Sequence, residues 1–131
     1  MRLLLDTHVL LWALTRSDRL SAKGWNLLED VRNPLTVSAV SIWDIAIKHA
    51  RPRGTPGDMP ISAQKALAEV RAANFDLLDI SLDHAAALDS LPLHHRDPFD
   101  RLLVAQAMAE PMFLLTHDAK LDRYGEMVLV V

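Results

Sequence analysis

The chain has 131 residues, half of them hydrophobic, with 17 acidic residues against 14 Lys and Arg, a formal charge of −3, and no cysteine. The hydrophobic content excludes disorder as a description of the whole chain, and the lack of cysteine excludes disulfides and thiolate metal sites. The length suits one domain, so we expect a single domain over residues 1–131. No apolar run approaches the roughly 20 residues of a membrane span, and the chain opens on a strand rather than an apolar leader. We therefore expect a cytoplasmic protein without a membrane partner.

The first half of the chain predicts two strands and three helices. The apolar run 2–5 predicts a buried strand that ends on Asp6, and the segment 7–14 predicts a buried helix that Asp6 or Thr7 caps. Ser21 opens the next helix, which Asn33–Pro34 stops and which is expected to carry on one face Trp25, Leu28 and Val31. A strand is predicted next, at 35–37. Residues 38–41 then lead into a helix that runs to about 50, and a loop is predicted at 51–60.

The second half of the chain continues the alternation of strands and helices. In order, the patterns predict a helix at 62–73, a strand at 76–80, a helix from Ser81 that Pro92 ends, a helix from Pro98 with Asp97 as its N-cap, a strand at 112–116, a helical turn at 118–124 and a strand at 127–131. Strands that alternate with helices are joined by right-handed crossovers. The sequence therefore predicts an α/β fold with a mainly parallel sheet covered by helices on both faces.

Acidic residues stand at the heads of several apolar elements, and each has a purely structural explanation. Asp6 and Asp118 can cap the helical segments that follow them, Asp44 can pair with Lys48 at i+4, and Asp97 with Asp100 has nearly the spacing of a capping box. Taken singly, each acid is better explained by structure than by catalysis.

Taken together, the acids indicate a metal centre. Asp100 shares a helical face with Leu103, Val104 and Ala107, and a carboxylate on the buried side of a helix is costly without a cation. Asp6 and Asp118 each follow a strand, so both belong at one edge of a parallel sheet. Converging carboxylates raise one another's pKa unless a divalent cation holds them. Oxygen donors suit Mg²⁺ or Mn²⁺, and such an ion can acidify a water for attack on phosphorus.

Four segments, in this order and spacing, resemble the PIN-domain family: LLLDTHVLLW, SAVSIWDIAIK, HHRDPFDRLLVAQA and LLTHDAKLDRYG. Within that family they are similar to the VapC-type ribonuclease toxins of bacterial toxin–antitoxin pairs. The resemblance implies a central sheet of strand order 3-2-1-4-5 and an acidic metal centre that cleaves single-stranded or looped RNA. It also implies a VapB-like antitoxin, whose C-terminal tail occupies the acidic groove, and a homodimer.

Carried over residue by residue, the resemblance implies the catalytic acids Asp6, Asp44, Asp100 and Asp118, of which Asp6, Asp100 and Asp118 hold the metal. Asp97 serves as a further acid or only as the cap. The second acid of the family is commonly Glu, and Asp44 stands in its place here. The shorter side chain puts the role of Asp44 in doubt and, to a lesser degree, the activity. Thr116 either positions a metal-bound water or satisfies a strand end.

The histidines do not predict a zinc site, because none has paired ligand spacing and His94 and His95 are adjacent. His94, His95 and Arg96 can be read as phosphate contacts or as exposed loop residues. A phosphate clamp is the best candidate role for the basic residues beside the loop, Lys48, Arg51 and Arg53, with a solvated basic loop as the alternative.

The interpretation is a Mg²⁺- or Mn²⁺-dependent endoribonuclease that leaves a 5′-phosphate and a 3′-hydroxyl. The alternative is a catalytically weak or silent PIN module that acts by binding an antitoxin or RNA. A phosphoryl-transfer enzyme or receiver with Asp6 as nucleophile is disfavoured, because His8 stands where a haloacid-dehalogenase-type enzyme has its second acid.

Overall fold

A computed structural model describes residues 1–131. Five parallel strands form one sheet: β1 (Leu3–Leu5), β2 (Leu35–Ser38), β3 (Asp76–Leu78), β4 (Phe113–Thr116) and β5 (Val128–Val130). The α-helices are α1 (Thr7–Thr15), α2 (Ala22–Glu29), α3 (Ala39–His49), α4 (Ala63–Ala72), α5 (Leu82–Ala86) and α6 (Pro98–Ala109). Two 3₁₀ helices span Ala87–Ser90 and Ala119–Tyr124. No helix combines the length and the hydropathy that crossing a membrane requires.

The strand order is β3-β2-β1-β4-β5, with β1 at the centre of the sheet. Leu3 pairs with Leu35 on one side and with Phe113 on the other. The α/β fold class and the 3-2-1-4-5 order predicted from the sequence are therefore confirmed. Since all strands run in parallel, β1 and β4 end at the same edge of the sheet and deliver the residues that follow them to a common place.

The apolar core lies on both faces of the sheet. Leu3 and Leu5 belong to a cluster that includes Val9 and Leu10 of α1, whereas Leu4 belongs to a second cluster on the other face. That second cluster contains the apolar side of α6. The split follows from the pleat of a strand, because successive side chains point to opposite faces. Burial on both faces also explains why β1 reads as a continuous apolar run.

The α-helices begin where short polar side chains accept hydrogen bonds from the first amides. The N-caps are Asp6, Ser21, Ser38, Ser62, Ser81 and Asp97. Such a cap satisfies an amide that has no partner within the helix. This local chemistry explains the helix starts that were predicted at such residues. The start of α3 differs, because Ser38 caps the helix and Ala39 begins it, whereas 38–41 were expected to precede it.

One sequence expectation about α2 is wrong. The helix ends at Glu29, and Val31, expected on its apolar face, is 98% exposed. Two side chains close the helix early: the Asn33 amide donates to Leu27 O (3.0 Å), and Asp30 Oδ1 accepts from Arg32 N (3.0 Å). The predicted helix from Ser81 to Pro92 is also shorter, because α5 gives way to a 3₁₀ helix at Ala87.

A buried polar network joins β2, α5 and α6. Gln106 of α6 receives a hydrogen bond from the Ser38 hydroxyl at 2.5 Å and donates to Asp79 O at 3.3 Å. His84, itself buried, lies 3.3 Å from the Gln106 amide and 2.9 Å from a carboxylate oxygen of Glu110. Because Ser38 also caps α3, the network connects the start of α3 to α6.

Candidate metal centre

Asp6 occupies the end of the central strand. The residue is 3% exposed. Oδ1 accepts from Val9 N at 2.8 Å, and Oδ2 accepts from the Thr116 hydroxyl. Asp6 therefore is the helix cap that the sequence predicted, and it is also a carboxylate held at the edge of the sheet. These hydrogen bonds lower the pKa of Asp6, but burial has the larger effect and raises the pKa above its ordinary value.

Thr116, at the end of the neighbouring strand, connects two of the predicted site residues. Its hydroxyl donates to Asp6 and accepts from Asp118 N at 3.0 Å. One buried hydroxyl thus fixes both the Asp6 carboxylate and the backbone that carries Asp118. Of the two alternatives for Thr116, a strand-end role is observed directly, and it bears on the site because both partners are site acids.

Asp97 and Asp100 form the start of α6. Asp97 Oδ1 accepts from Phe99 N at 2.8 Å and from Asp100 N at 3.3 Å, so Asp97 is the cap. The Asp100 carboxylate is left facing the sheet edge. Burial, and then the charges of Asp97 and Asp6, raise the pKa of Asp100 to about 7. Asp118 raises it further, and His95 opposes them. The acids predicted from separate segments therefore interact electrostatically in the folded chain.

His95 completes the group, and its reading as an exposed loop residue is wrong. Its side chain is 13% exposed, with Nε2 2.8 Å from Asp118 Oδ2 and 3.8 Å from Asp100 Oδ2. Nδ1 accepts from Asp97 N at 3.1 Å, so the neutral ring carries its hydrogen on Nε2 and donates it to Asp118. The local part of this arrangement is the contact of the ring with the cap amide two residues on. The contact with Asp118, 23 residues away, has no local signal in the sequence.

Asp118 is the least buried member of the group. Burial raises its pKa, but the Lys120 amide, which donates to Oδ1 at 2.9 Å, and His95 together bring the pKa below its ordinary value. Asp118 and Asp100 are thus shifted in opposite directions. The two carboxylates and His95 place one donor atom each within 4.8 Å of one another. Spacing between histidines could not predict this set, because its other two members are carboxylates.

Asp44 stands apart from these interactions. It is buried on the face of α3 that also carries Ser41, whose hydroxyl lies 3.3 Å from that of Thr7. Lys48 Nζ lies 3.1 Å from Asp44 Oδ1 and 3.4 Å from Oδ2, and only the longer contact is aligned as a hydrogen bond. The structural alternative for Asp44, a pair with Lys48 at i+4, is therefore observed. Asp44 is not among the charges that raise the pKa of Asp100.

Of the three basic residues predicted to contact phosphate, one is ion-paired and two are exposed. Lys48 is engaged by Asp44, whereas Arg51 and Arg53 are exposed in the loop after α3. That loop is folded by Asp58, whose carboxylate accepts from the amides of Arg53 and Gly54 at 2.8 to 3.0 Å. Arg51 and Arg53 are thus carried on an ordered turn, next to the C-terminal end of the helix that bears Asp44.

The donor set fits a divalent cation. Asp100 and Asp118 place carboxylate oxygens within 4.8 Å of each other and of the His95 ring. Asp6 lies outside that group, but its charge acts on Asp100. Both His95 nitrogens are engaged, by Asp97 N and Asp118, so His95 orients a carboxylate and is not itself a metal donor. Burial first, and then the charges of neighbouring carboxylates, raises the pKa of Asp100, and a bound cation would offset both effects. Carboxylate oxygens are donors that suit Mg²⁺ or Mn²⁺.

Comparisons with known proteins bear on the family and the fold. The family model of the PIN domain matches residues 3–127. VapBC2 from Rickettsia felis, bound to a DNA fragment from its promoter, is 15% identical with a TM-score of 0.68, covering 100% of this chain and 98% of the other. DNA-bound VapBC from Salmonella typhimurium is 11% identical with a TM-score of 0.68, covering 99% and 98%.

A toxin–antitoxin complex from Klebsiella pneumoniae is 20% identical with a TM-score of 0.63, covering 97% of this chain and 95% of the other. A search of curated proteins found no match. At these identities the solved structures show a shared fold, whereas the family model covers nearly the whole sequence. The chain belongs to the PIN-domain family.

Proposed function

We propose that this chain is a single PIN domain, over residues 1–131, that acts in the cytoplasm as a metal-dependent endoribonuclease toxin of a VapBC-type pair. The observation that carries the proposal is the convergence of Asp100 and Asp118 with His95 at one sheet edge, where the Thr116 hydroxyl holds Asp6 and the charge of Asp6 acts on Asp100. Burial and neighbouring charges disfavour ionised Asp100, and a divalent cation removes that penalty.

In the proposed reaction, Asp6, Asp100 and Asp118 hold Mg²⁺ or Mn²⁺. When bound, the cation lowers the pKa of a water and neutralises the charge that develops on the phosphate oxygens. Thr116 keeps Asp6 and the Asp118 backbone in register, and His95 orients the Asp118 carboxylate. Hydrolysis of the phosphodiester leaves a 5′-phosphate and a 3′-hydroxyl.

The proposed partners are an RNA substrate, a VapB-like antitoxin and a second copy of the chain. The antitoxin is supported by the neighbouring solved structures, which are VapBC and toxin–antitoxin complexes. Base selectivity at an acidic metal centre is expected to be low, so that RNA shape and unstacked loops select the cleavage site. Arg51 and Arg53, exposed on the ordered loop, are the proposed RNA contacts of the α3 side.

One observation favours a second candidate, a PIN module that binds antitoxin or RNA and cleaves little or nothing. Asp44 replaces the longer Glu that is common in the family, and it is paired with Lys48. Engagement by a lysine weakens the contribution of Asp44 to a cation. This reading keeps the fold and the partner while removing most of the activity.

Cleavage of a single-stranded and a stem-loop RNA by the purified protein, with Mg²⁺ or Mn²⁺, tests the proposal. We expect cuts with 5′-phosphate ends, and Asp6→Asn and Asp100→Asn to lower the rate at least about 100-fold, the upper range for losing even an outer partner of a metal site. Asp18→Asn, which removes one exposed acid that has no ion pair, is the matched control.

Mn²⁺ calorimetry and thermal melting separate the candidates. Metal that binds only the folded protein raises its melting temperature. Binding with a raised melting temperature but no cleavage supports the silent module. If millimolar metal neither binds nor raises the melting temperature, the metal centre is refuted. If parent and Asp100→Asn cleave RNA at equal rates, the role assigned to Asp100 is refuted.

A further inference from the structure

An open pocket of about 410 Å³ lies between the segment before α6 and the 3₁₀ helix that follows Asp118. It is lined by Leu93, His94, His95, Arg96 and Lys120. A single one of these residues is apolar. The lining therefore suits a polar, negatively charged group rather than an apolar side chain or a base.

Both walls of the pocket contact the same carboxylate of the metal centre. His95 Nε2 lies 2.8 Å from Asp118 Oδ2, and the Lys120 amide donates to Asp118 Oδ1 at 2.9 Å. The pocket and the acidic centre are thus separated by one side chain. A polymer that presents one group to the centre can therefore reach this pocket with an adjoining group.

The wall formed by His94 and His95 is held in place by Tyr124. The Tyr124 hydroxyl accepts from His94 N at 3.2 Å and from His95 N at 3.1 Å. The rings of His94 and Tyr124 also pack, with centroids 5.1 Å apart. Two amides and one ring therefore fix the segment, so the pocket is a formed feature of the fold.

The cations of the pocket are unpaired, in contrast to two other basic residues of the surface. Lys48 and Arg32 are neutralised by Asp44 and Asp30. Arg96 and Lys120 have no acidic group within 4 Å and no side-chain hydrogen bond. Their charges are free to attract an anion.

We propose that this pocket binds a phosphate of single-stranded RNA that neighbours the scissile phosphodiester. The inference rests on the proposed function, because the centre beside the pocket is where the RNA backbone is cut. The acids of that centre repel a polyanion, and two unpaired cations next to them supply an attraction that does not depend on base sequence. An acidic protein segment would satisfy the same charges, but contact with both sides of Asp118 places the pocket along the path of the reacting strand.

The test compares the double variant Arg96→Gln/Lys120→Gln with the matched control Arg19→Gln/Lys65→Gln. The control removes the same two charges at exposed positions without ion pairs. Fluorescence anisotropy with labelled oligouridine and oligoadenosine, in Ca²⁺ buffer and with probe integrity checked on a gel, measures RNA affinity. Melting curves check that each variant is folded.

We expect the pocket variant to bind both RNAs about 10-fold more weakly than the control variant. Its Mn²⁺ affinity should be no lower than that of the parent, because the charge of Lys120 acts on Asp118. A plot of log affinity against log salt has a negative slope, and its steepness is expected to decrease by about 0.7 for each lost phosphate contact to a single strand. Arg96→Lys keeps the charge and is expected to keep most of the affinity.

Several results would overturn the subsite. Equal losses in pocket and control variants indicate general electrostatics, and a loss restricted to one RNA sequence indicates base recognition. Unchanged RNA affinity, with weaker binding of the antitoxin, assigns the pocket to the protein partner. Parent protein that binds RNA through the pocket but leaves it uncut refutes the proposed nuclease and retains the subsite. If the pocket variant cleaves and binds RNA as well as the parent does, the subsite is refuted and the proposed nuclease is retained.

Discussion

Replacing Asp100 with asparagine should stabilise the cation-free protein at alkaline pH while abolishing its proposed activity. The pKa of Asp100 is raised to about 7, first by burial and then by Asp97 and Asp6, against about 4 for an aspartate in an unfolded chain. The folded protein therefore retains a proton that the unfolded chain has already released. By proton linkage, its stability falls as the pH rises from about 4 to about 7 and then levels off.

The magnitude follows from that difference. At about 1.36 kcal/mol for each pH unit, full ionisation of Asp100 destabilises the fold by at most about 4 kcal/mol. The Asp100 side chain keeps 20% of its surface exposed, and solvent screening reduces the cost, so we expect a gain of about 1–2 kcal/mol from Asp100→Asn. For a domain of this size the gain corresponds to a rise in melting temperature of roughly 3–8 °C.

Thermal melts in EDTA at about pH 5 and about pH 9 measure the effect, since Asp100 is largely neutral at the first pH and ionised at the second. The difference between variant and parent should grow with pH, while the exposed control Asp18→Asn shows no such growth. Addition of Mn²⁺ should stabilise the parent more than the variant. A variant that is less stable than the parent at the higher pH, or a difference independent of pH, would refute the reasoning.

Two further changes test the surroundings of the site, and a third tests the packing of the core. His95→Ala removes the donor to Asp118, so Mn²⁺ affinity measured by calorimetry should fall about 10- to 100-fold; an unchanged affinity would contradict the positioning role. Thr116→Val leaves Asp6 Oδ2 and the Asp118 amide without their shared partner, which should cost about 1–3 kcal/mol in denaturant unfolding, whereas Thr116→Ser should cost much less. Gly24→Ala places a methyl group 2.5 Å from Leu20 Cδ1 and 3.3 Å from Val131 Cγ2; overpacking of this kind should destabilise by about 1–3 kcal/mol, and a melting temperature equal to that of the parent would show that Leu20 moves aside.

The parts of the fold that were predictable depend on local chemistry. Asp6, Ser21 and Asp97 cap their helices through neighbouring amides, and the apolar run of β1 marks a strand buried on both faces. Val31 was placed wrongly because the end of α2 depends on the Asn33 side chain reaching back to Leu27 O. Helical periodicity contains no information about that hydrogen bond.

The candidate site was predictable only in outline. Strand ends in a parallel sheet must meet at one edge, so Asp6 and Asp118 could be placed together from sequence. The ring of His95 reaches Asp118 only because Asp97 N and the Tyr124 hydroxyl fix its segment, and Tyr124 lies 29 residues away in the chain. Contacts over such a separation are set by tertiary packing rather than by local pattern.

Gln106 has a consequence for how mutational data on this protein should be read. Its amide joins α6, which carries Asp100, to Ser38 at the start of the helix that carries Asp44. A substitution there alters no carboxylate and no exposed charge, yet it removes a buried polar contact between two acid-bearing helices. A survey that scores function alone would therefore group Gln106 with the reacting residues, and only a direct measurement of conformational stability would separate it from them.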